Sequence, residues 1–261
     1  MNTAAPLLSV DNVSMHFGGL KAVDGVSISV GAHQVVGLIG PNGSGKSTLI
    51  NVISRIYEPT GGSVRLGAKE INGVAVHDVA ALGITRTFQN VRLFATMTVR
   101  DNLKMGMTST TRAGFVASGL ALPAARREET EVDRQVEEVA ALLGLEAQLD
   151  RVAGDLPYGL QKLTELGRAL ISNPKLILLD EPVAGMNSSE KQALVAALKR
   201  VRAARPVAFL LVEHDMAFVM SLTEYLYVLN FGKLIAQGRP EEVRTDPGVI
   251  EAYLGVGHAA H

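Results

Sequence analysis

The chain has 261 residues, 47% of them hydrophobic, so it can bury a sizeable core in one or two domains. Lys and Arg total 25 against 26 Asp and Glu, and this net charge of −1 argues against binding nucleic acid or anionic lipid through bulk charge. The absence of cysteine excludes disulfides and cysteine-ligated metals. No apolar run reaches the roughly 18 residues of a membrane span, and the N-terminus does not resemble a signal peptide. We therefore expect a soluble intracellular protein that works at a membrane only by docking on another protein.

The first predicted elements are strands over Leu7 to Val13 and Gly25 to Val30, the second with valine and isoleucine alternating against serine. The segment from His16 to Asp24 between them is predicted to be a loop. Phe17 lies near the start of that segment, where an aromatic ring can stack on a base or serve as a plain hydrophobic anchor. Spacing alone favours the anchor.

The next stretch, Gly40 to Thr48, reads G-P-N-G-S-G-K-S-T and matches the phosphate-binding pattern G-x-x-x-x-G-K-[ST]. An apolar run suited to a buried strand precedes it, and a helix that we expect to end near Tyr57 follows. The N–H groups of such a loop form an anion-binding concavity at a helix N-terminus. Lys46 is placed for the β- and γ-phosphates, Ser47 for Mg²⁺ and Thr48 for the α-phosphate side. The site comprises Gly40, Pro41, Asn42, Gly43, Ser44, Gly45, Lys46, Ser47 and Thr48.

The middle of the chain is predicted to be helical, from Thr96 to about Asp155. Thr98 is a plausible N-cap for a helix through Met105, and a second helix over 128–143 carries an apolar face that Gly144 ends. Residues 113–125 are predicted to form an insertion with little regular secondary structure. Gln89, in the loop before this region, is either a metal or water ligand or a surface amide, and composition does not decide between them. A later helix can begin at Pro157.

Two buried strands near the C-terminal half carry polar residues at their ends. Leu176 to Leu179 is apolar, and Asp180 and Glu181 follow at the sheet edge where open α/β sheets bind ligands. One carboxylate can hold Mg²⁺ through water and the other can orient or deprotonate an attacking water, although an acidic turn pair is the plain alternative. His214 follows the strand Val207 to Val212 and reaches the same edge, which leaves both a functional and a structural role open.

Taken in order, these motifs resemble the nucleotide-binding subunit of an ABC transporter over nearly the whole chain. The resemblance makes Phe17 the adenine-stacking aromatic, Gly40 to Thr48 the Walker A motif, and Gln89 the Q-loop glutamine. It makes Leu156 to Leu160 the signature, Leu176 to Glu181 the Walker B motif, Ala184 to Asn187 the D-loop, and His214 the switch histidine. The cofactors it implies are ATP and Mg²⁺, with Lys46, Glu181 and His214 as catalytic residues and Ser47, Gln89 and Asp180 as metal-site residues.

The implied fold is α/β, a P-loop NTPase of the ABC ATPase type, with a RecA-like core, an antiparallel β subdomain and an inserted α-helical subdomain. Its core would comprise residues 1–95 and 156–261, and the helical subdomain residues 96–155 with the signature helix 157–172. Residues 255–261 would be a loose tail. Two such domains would bind two ATP molecules head to tail, each held by Walker A of one chain and by Pro157, Tyr158 and Gly159 of the other.

A closer resemblance is to the larger ATPase of the branched-chain (hydrophobic) amino acid importers. The segments that carry it are Arg86 to Phe94, Met97 to Val99, Ala184 to Asn187, Val212 to Met216 and Val249 to Gly255. It implies a subunit on the cytoplasmic face of the inner membrane, bound to two permease subunits and to a sister ATPase. A homodimer is the alternative for the isolated chain. An extracytoplasmic substrate-binding protein would be an indirect partner, and no nucleic acid is expected.

The signature departs from the usual L-S-G-G-Q of the family, since it reads Leu156-Pro-Tyr-Gly-Leu160. The serine hydroxyl that faces the γ-phosphate across the dimer is absent at Pro157, while the Gly159 N–H remains. Met186 replaces the commoner leucine of the D-loop. The groups that the chain applies to its own nucleotide are intact, but the surface offered to its partner's nucleotide is altered.

Other functions remain open from the sequence. A urea or short-chain amide importer uses very similar ATPases, and a lipopolysaccharide-export system would use a different membrane partner. A soluble ABC protein acting on ribosomes or DNA would need tandem cassettes or a coiled-coil insertion and a basic face, which the sequence lacks. A metabolic kinase or GTPase would share Walker A but neither the signature nor His214.

Overall fold

The computed structural model describes residues 5–87, 89, 91–107 and 123–254, with 123–129 and 254 described by their backbone alone. The predicted tail over 255–261 and most of the predicted insertion over 113–125 lie outside the described residues. The strands are β1 Leu8–Phe17, β2 Leu20–Val30, β3 Val35–Ile39, β4 Gly61–Leu66, β5 Lys69–Glu70, β6 Ile84–Thr87, β7 Leu176–Asp180, β8 Ala208–Val212, β9 Tyr225–Asn230 and β10 Lys233–Gly238. The α-helices are α1 Lys46–Ile53, α2 Val79–Leu82, α3 Val99–Met105, α4 Pro123–Leu143, α5 Tyr158–Leu170, α6 Ser188–Ala204, α7 Met216–Leu222, α8 Pro240–Arg244 and α9 Pro247–Leu254.

The first of two compact units contains both sheets and is formed by the described residues of Met1–Arg86, Lys175–Ala184 and Pro206–His261. One sheet has four strands in the order β2-β1-β4-β5, and the other has six in the order β10-β9-β3-β8-β7-β6. In the larger sheet β9, β3, β8 and β7 are parallel neighbours. Every residue of β3, β7 and β8 is buried. Their sequences are almost wholly apolar because a parallel sheet is covered on both faces.

The core of this unit lies around α1, which contacts β1, β2 and β7. Its fully buried side chains come from both sheets and from α1 itself, among them Leu8, Leu38, Leu49, Ile53 and Leu178. Helix α1 ends at Ile53, so the prediction that it runs to about Tyr57 is wrong. Arg55 has a φ of 62° and turns the chain out of the helix just after that end.

The predicted loop over His16 to Asp24 is also wrong, because β1 and β2 form a long hairpin with a tight turn. Phe17 pairs with Leu20 across that turn, and Gly18 supplies the positive φ of 58° that it needs. Register shifts at Val13 and Met15 let the strands continue where simple alternation stops. The strands predicted from alternation are therefore only the regular outer parts of this hairpin.

The second unit is formed by the described residues of Thr87–Pro174 and Gly185–Arg205, in which α3, α4, α5 and α6 pack on one another. Thr98 caps α3 as predicted, since its side chain accepts a hydrogen bond from the Asp101 N–H. Val136, Val139 and Leu143 are buried on one face of α4, and Gly144 follows its end with a φ of 75°. The predicted subdomain boundaries at residues 95 and 156 stay a prediction. None of the described helices has both the length and the apolar character that a membrane crossing demands.

Candidate nucleotide site

The predicted phosphate loop connects the carboxyl end of β3 to the start of α1 in the first unit. Gly45 has a φ of 104°, and a Cβ there would lie 2.4 Å from the Ala22 carbonyl oxygen. A Cβ at Gly40 would lie 2.1 Å from the Leu229 carbonyl oxygen. Glycine is therefore required at both positions for the loop to keep this path. On this path the loop lies beside the first turn of α1, whose N–H groups have no partner within the helix.

Lys46 is held inside the loop by the loop's own backbone. Its Nζ donates hydrogen bonds to the carbonyl oxygens of Gly40 and Pro41, both at 2.8 Å, and it is 7% exposed. Burial lowers the pKa of Lys46, while the nearby Glu181 and Asp180 carboxylates oppose that shift. The ammonium group thus lies at the site predicted for phosphate, with carbonyl contacts that an anion can replace.

Asp180, the last residue of β7, is fixed by a guanidinium group. Arg86 Nη2 donates to Asp180 Oδ2 at 2.6 Å, and both side chains are about nine-tenths buried. Arg86 Nη1 also donates to Asn51 Oδ1 at 2.7 Å and to Ser54 Oγ at 3.1 Å. Asn51 lies in α1, and Ser54 is the residue directly after its end. Arg86 therefore ties Asp180 to the helix that starts at Lys46. Its role as a partner of Asp180 was not predicted, because the two residues are far apart in sequence.

Glu181 has an unusual backbone conformation for a residue with a side chain, with a φ of 45°. Its N–H donates to the Val212 carbonyl at 2.9 Å, and its own carbonyl accepts from the Ala184 N–H at 3.2 Å. Left-handed backbone at a non-glycine residue costs about 1–3 kcal/mol and persists only where the surroundings impose it. The partly exposed Glu181 side chain is thus directed by the ends of two neighbouring strands.

His214 follows β8, and its backbone is organised by the buried carboxylate of Glu213. Glu213 is fully buried and accepts hydrogen bonds from the N–H groups of Val183, His214 and Asp215 at 3.0, 2.9 and 3.3 Å. The His214 side chain is 60% exposed, with Nδ1 3.6 Å from Glu213 Oε2. Sequence reasoning missed the role of Glu213, although a carboxylate directly after a fully buried strand signals a group that needs several donors.

Because β8 lies between β3 and β7, the loops after these three strands meet at one edge of the parallel sheet. That edge brings together the phosphate loop, Asp180, Glu181 and His214 in the first unit. Gln89 and the signature residues belong to the second unit. The fourth neighbour, β9, leads into the turn at Phe231 and Gly232.

A cavity of about 380 Å³ opens beside the phosphate loop within the first unit. Phe17 lines it, is 43% exposed and meets the Tyr57 ring edge-on with centroids 5.3 Å apart. The lining comprises Phe17, Leu20, Lys21, Ala22, Gly43, Ser44, Gly45, Lys46, Ser47, Thr48, Phe231 and Gly232. The sequence did not single out Leu20, Lys21 or Phe231.

The donors predicted for Mg²⁺ in this unit are the exposed Ser47 hydroxyl and the Asp180 carboxylate. Mg²⁺ prefers oxygen ligands, keeps several waters and uses few protein groups alongside nucleotide phosphates, so this pair fits the ion. In the described part of the chain no group of three or more acidic or histidine side chains could hold a metal by itself.

In the second unit Gln89 is joined to α5 through its backbone. Lys162 Nζ donates to the Gln89 carbonyl oxygen at 2.6 Å, and Glu165 Oε1 accepts from the Arg92 N–H at 3.2 Å. Lys162 and Glu165 are both buried, with Nζ and Oε2 3.9 Å apart. The side chain of Gln89 itself is exposed.

The signature residues lie at the start of α5, where a carboxylate already occupies the helix N-terminus. Pro157 is the N-cap residue and supplies no side-chain hydrogen bond. The Gly159 N–H donates to Glu190 Oε1 at 3.0 Å, and Glu190 Oε2 accepts from the Asn187 N–H at 2.9 Å. Burial raises the pKa of Tyr158, with Glu165 and Glu190 adding to the shift. Glu190 was missed, although Asn187 and Glu190 have the spacing of a capping box.

The parallel sheet and the phosphate loop, with an acidic pair and a histidine at the same edge, define a nucleotide-binding fold of the P-loop class. Comparisons with known proteins narrow this class. The family model for ABC transporters matches residues 23–184, and the model described as branched-chain amino acid ATP-binding cassette transporter matches residues 233–259.

Full-length relatives agree with these matches. The high-affinity branched-chain amino acid transport ATP-binding protein BraF of Pseudomonas aeruginosa is 42% identical over 96% of this chain and 98% of its own length. The protein LivG of Salmonella typhimurium, with the same description, is 40% identical over the same shares. A crystal structure of the ADP conformation of MJ1267, an ATP-binding cassette of an ABC transporter, superposes with a TM-score of 0.84 at 37% identity, covering 97% of this chain and 100% of that one.

The chain therefore belongs to the ATP-binding subunits of ABC transporters, in the group that includes LivG and BraF. The resemblance and the fold class predicted from sequence are both confirmed. As a member of this family the chain is an ATPase, and the nucleotide site around the phosphate loop stays a prediction.

Proposed function

We propose that the chain is the ATP-hydrolysing subunit of an importer for branched-chain or other hydrophobic amino acids. The observation that carries this proposal is the near full-length similarity to proteins described as branched-chain amino acid transport ATP-binding proteins. The match of residues 233–259 to a segment described for the same transporters supports it independently of the ATP-binding motifs.

The proposed partners are two transmembrane permease subunits, a sister ATPase and, indirectly, an extracytoplasmic substrate-binding protein. The chain would lie on the cytoplasmic face of the inner membrane, held there by the permease. A net charge of −1 supports docking on protein rather than on anionic lipid or nucleic acid. Gln89 would link phosphate occupancy to the permease contact.

For catalysis, we assign Glu181 the role of general base, which takes a proton from the water that attacks the γ-phosphate. His214 would hold that water and the γ-phosphate in line. Lys46 and the loop N–H groups would stabilise charge on the transferring group, and Phe17 would contact the base. Ser47, Gln89 and Asp180 would hold Mg²⁺, which when bound neutralises phosphate charge. The left-handed backbone of Glu181 supports a functional role, since imposed strain clusters at such sites.

The signature residues Pro157, Tyr158 and Gly159 would face the ATP of the partner chain in a head-to-tail dimer. Pro157 has no hydroxyl to offer there, and the Gly159 N–H is engaged by Glu190. We therefore expect the site that uses this signature to be the weaker of the two sites in a mixed dimer.

The test is to isolate the chain from its native membrane with its bound partners and to measure ATP hydrolysis as candidate substrates are added with the co-purified binding protein. We expect permease subunits and a second ATPase to co-purify, and branched-chain amino acids to raise the ATPase rate. Stimulation by urea or short-chain amides alone, or co-purification with lipopolysaccharide-export components, would contradict the assignment to amino acid import while leaving the ATPase intact.

A further inference from the structure

Phe231 is the most exposed of the large hydrophobic side chains that the structure describes, at 83%. It lies at the tip of the β9–β10 hairpin, where Asn230 pairs with Lys233 and only Phe231 and Gly232 form the turn. Exposing a phenyl ring to this degree forgoes the burial that usually stabilises aromatic side chains. A ring in this position therefore needs an explanation other than packing within the chain.

The backbone at Phe231 gives a second reason to look for a function. Phe231 has a φ of 43° and Gly232 a φ of 76°, as expected for a hairpin turn with positive φ at both central residues. Asparagine followed by glycine is the favoured pair in such turns, because a bulky residue is strained in the left-handed region. Phenylalanine at this position thus disfavours the turn that carries it.

The turn is nevertheless held firmly against the nucleotide site. The Gly232 N–H donates to the Ser44 carbonyl in the phosphate loop at 3.0 Å, and the Gly232 carbonyl accepts from the Asp24 N–H at 2.8 Å. A Cβ at Gly232 would lie 2.9 Å from the Ala22 carbonyl oxygen, so the approach is close. These contacts fix the turn that carries Phe231 relative to both the phosphate loop and the β1–β2 hairpin.

The ring lines the same cavity as Phe17 and Lys46. A triphosphate bound by the loop would occupy the end of that cavity beside Lys46, and the apolar walls formed by Phe17, Leu20 and Phe231 would remain for the base and ribose. We propose that Phe231 is a second aromatic contact for the nucleoside part of ATP, in addition to Phe17. Every base has an apolar face that an aromatic ring can cover, so this contact strengthens binding without selecting among bases. The inference depends on nucleotide binding at this loop.

The decisive variant is Phe231→Asn, because asparagine suits the turn while removing the ring. Titration calorimetry of the full-length chain with MgADP, which avoids turnover, gives the affinity, and inorganic tripolyphosphate probes the loop alone. We expect MgADP to bind about tenfold more weakly, as for loss of one base–aromatic contact.

The tripolyphosphate affinity of Phe231→Asn should be unchanged, and its thermal unfolding midpoint should not fall. Phe231→Tyr should keep wild-type affinity, and Ile235→Ala, an exposed apolar change on β10 of the same hairpin, is the matched control.

Unchanged MgADP affinity in Phe231→Asn would overturn the proposal. The same holds if the variant weakens association with another ATPase chain but leaves the MgADP affinity unchanged. Equal weakening of MgADP and tripolyphosphate would also overturn it, because the turn would then act through the loop. A wild-type chain that binds no MgADP would instead refute the nucleotide site as a whole, so the two failures are distinguishable.

Discussion

Two regions of this ATPase are each predicted to contact the phosphates of an ATP molecule, one those of its own nucleotide and the other those of a partner's, and they are built on different principles. The phosphate region, defined as residues 40–48 with Asp180 and Glu181, consists of the loop and residues that follow two buried strands, together with the start of α1. Two of its charged groups are held within the same unit, since Lys46 donates to loop carbonyls and Asp180 accepts from Arg86. The signature region, defined as Pro157 to Gly159 with Glu190, consists of a helix N-terminus whose Gly159 N–H is engaged by a carboxylate.

The difference concerns what an incoming phosphate meets. In the phosphate region an incoming phosphate would meet a cation and N–H groups, and it would displace only neutral oxygen acceptors from Lys46. In the signature region a partner's phosphate would meet the negative charge of Glu190 at the Gly159 N–H that it is proposed to use. An anion replaces a neutral acceptor easily but must compete with another anion. We therefore expect mutations to separate nucleotide binding by this chain from its proposed support of a partner's nucleotide.

Arg86→Met should give the largest stability change, because it removes the cation from the buried Asp180 while keeping most of the apolar stem. We expect the free energy of unfolding to fall by about 3 kcal/mol, as for breaking a buried ion pair. Urea denaturation measures this loss. Arg65→Met is the control, since Arg65 pairs with Glu70 at 3.9 Å with both side chains about half exposed, and should cost less than about 1 kcal/mol. Equal losses in the two variants would contradict internal charge balance in the phosphate region.

Glu190→Ala should have an intermediate effect and should separate folding from function. It removes the acceptor for the Gly159 and Asn187 N–H groups, so the free energy of unfolding should fall by about 1–2 kcal/mol. ATP-dependent association with the partner ATPase should nevertheless become tighter, since the Gly159 N–H is released. Sedimentation in a Glu181→Gln background, in which ATP persists, measures this association.

The control for Glu190→Ala is Glu242→Ala, which removes a carboxylate that accepts from the Arg239 N–H in the capping box of α8. It should reduce stability in the same way without changing ATP-dependent association. Weaker association in Glu190→Ala, with Glu242→Ala unaffected, would mean that Glu190 supports the signature region rather than competing with phosphate.

Pro157→Ser should have the smallest effect on stability. A serine N-cap stabilises α5 by about 1 kcal/mol, while the loss of proline rigidity in the unfolded chain offsets much of this gain. The free energy of unfolding should therefore change by less than about 0.5 kcal/mol. ATP-dependent association should tighten about fivefold through one added hydrogen bond. Pro247→Ser, at the exposed start of α9, is the control. If Pro157→Ser changes neither association nor the ATPase rate, the proposal that Pro157 weakens the partner's ATP site is contradicted.

The sequence predicted the phosphate region far better than the details around it. A loop of fixed spacing between a buried strand and a helix is a local pattern, and so is an acidic pair after an apolar strand. The Thr98 and Asn187 caps were predictable for the same reason, since each cap and its N–H partner lie within one helical turn.

The contacts that the sequence did not predict join residues far apart along the chain. Arg86 meets Asp180, Glu190 meets Gly159, and the turn at Phe231 meets the phosphate loop. Neither periodicity nor spacing determines such pairs, because they depend on the order of strands in the sheet and on helix packing. The β1–β2 hairpin was underestimated because register shifts interrupt the alternation that predicts strands.

The most direct test of ATP hydrolysis by the phosphate region is a comparison of Glu181→Gln with the wild-type chain in the assembled transporter. Equilibrium binding of MgATP and the rate of phosphate release should be measured on the same preparations. We predict that Glu181→Gln binds MgATP as tightly as the wild type and releases phosphate at least about 100-fold more slowly, the loss expected for a general base. Phosphate release at the wild-type rate would show that another group activates the water and would contradict this account.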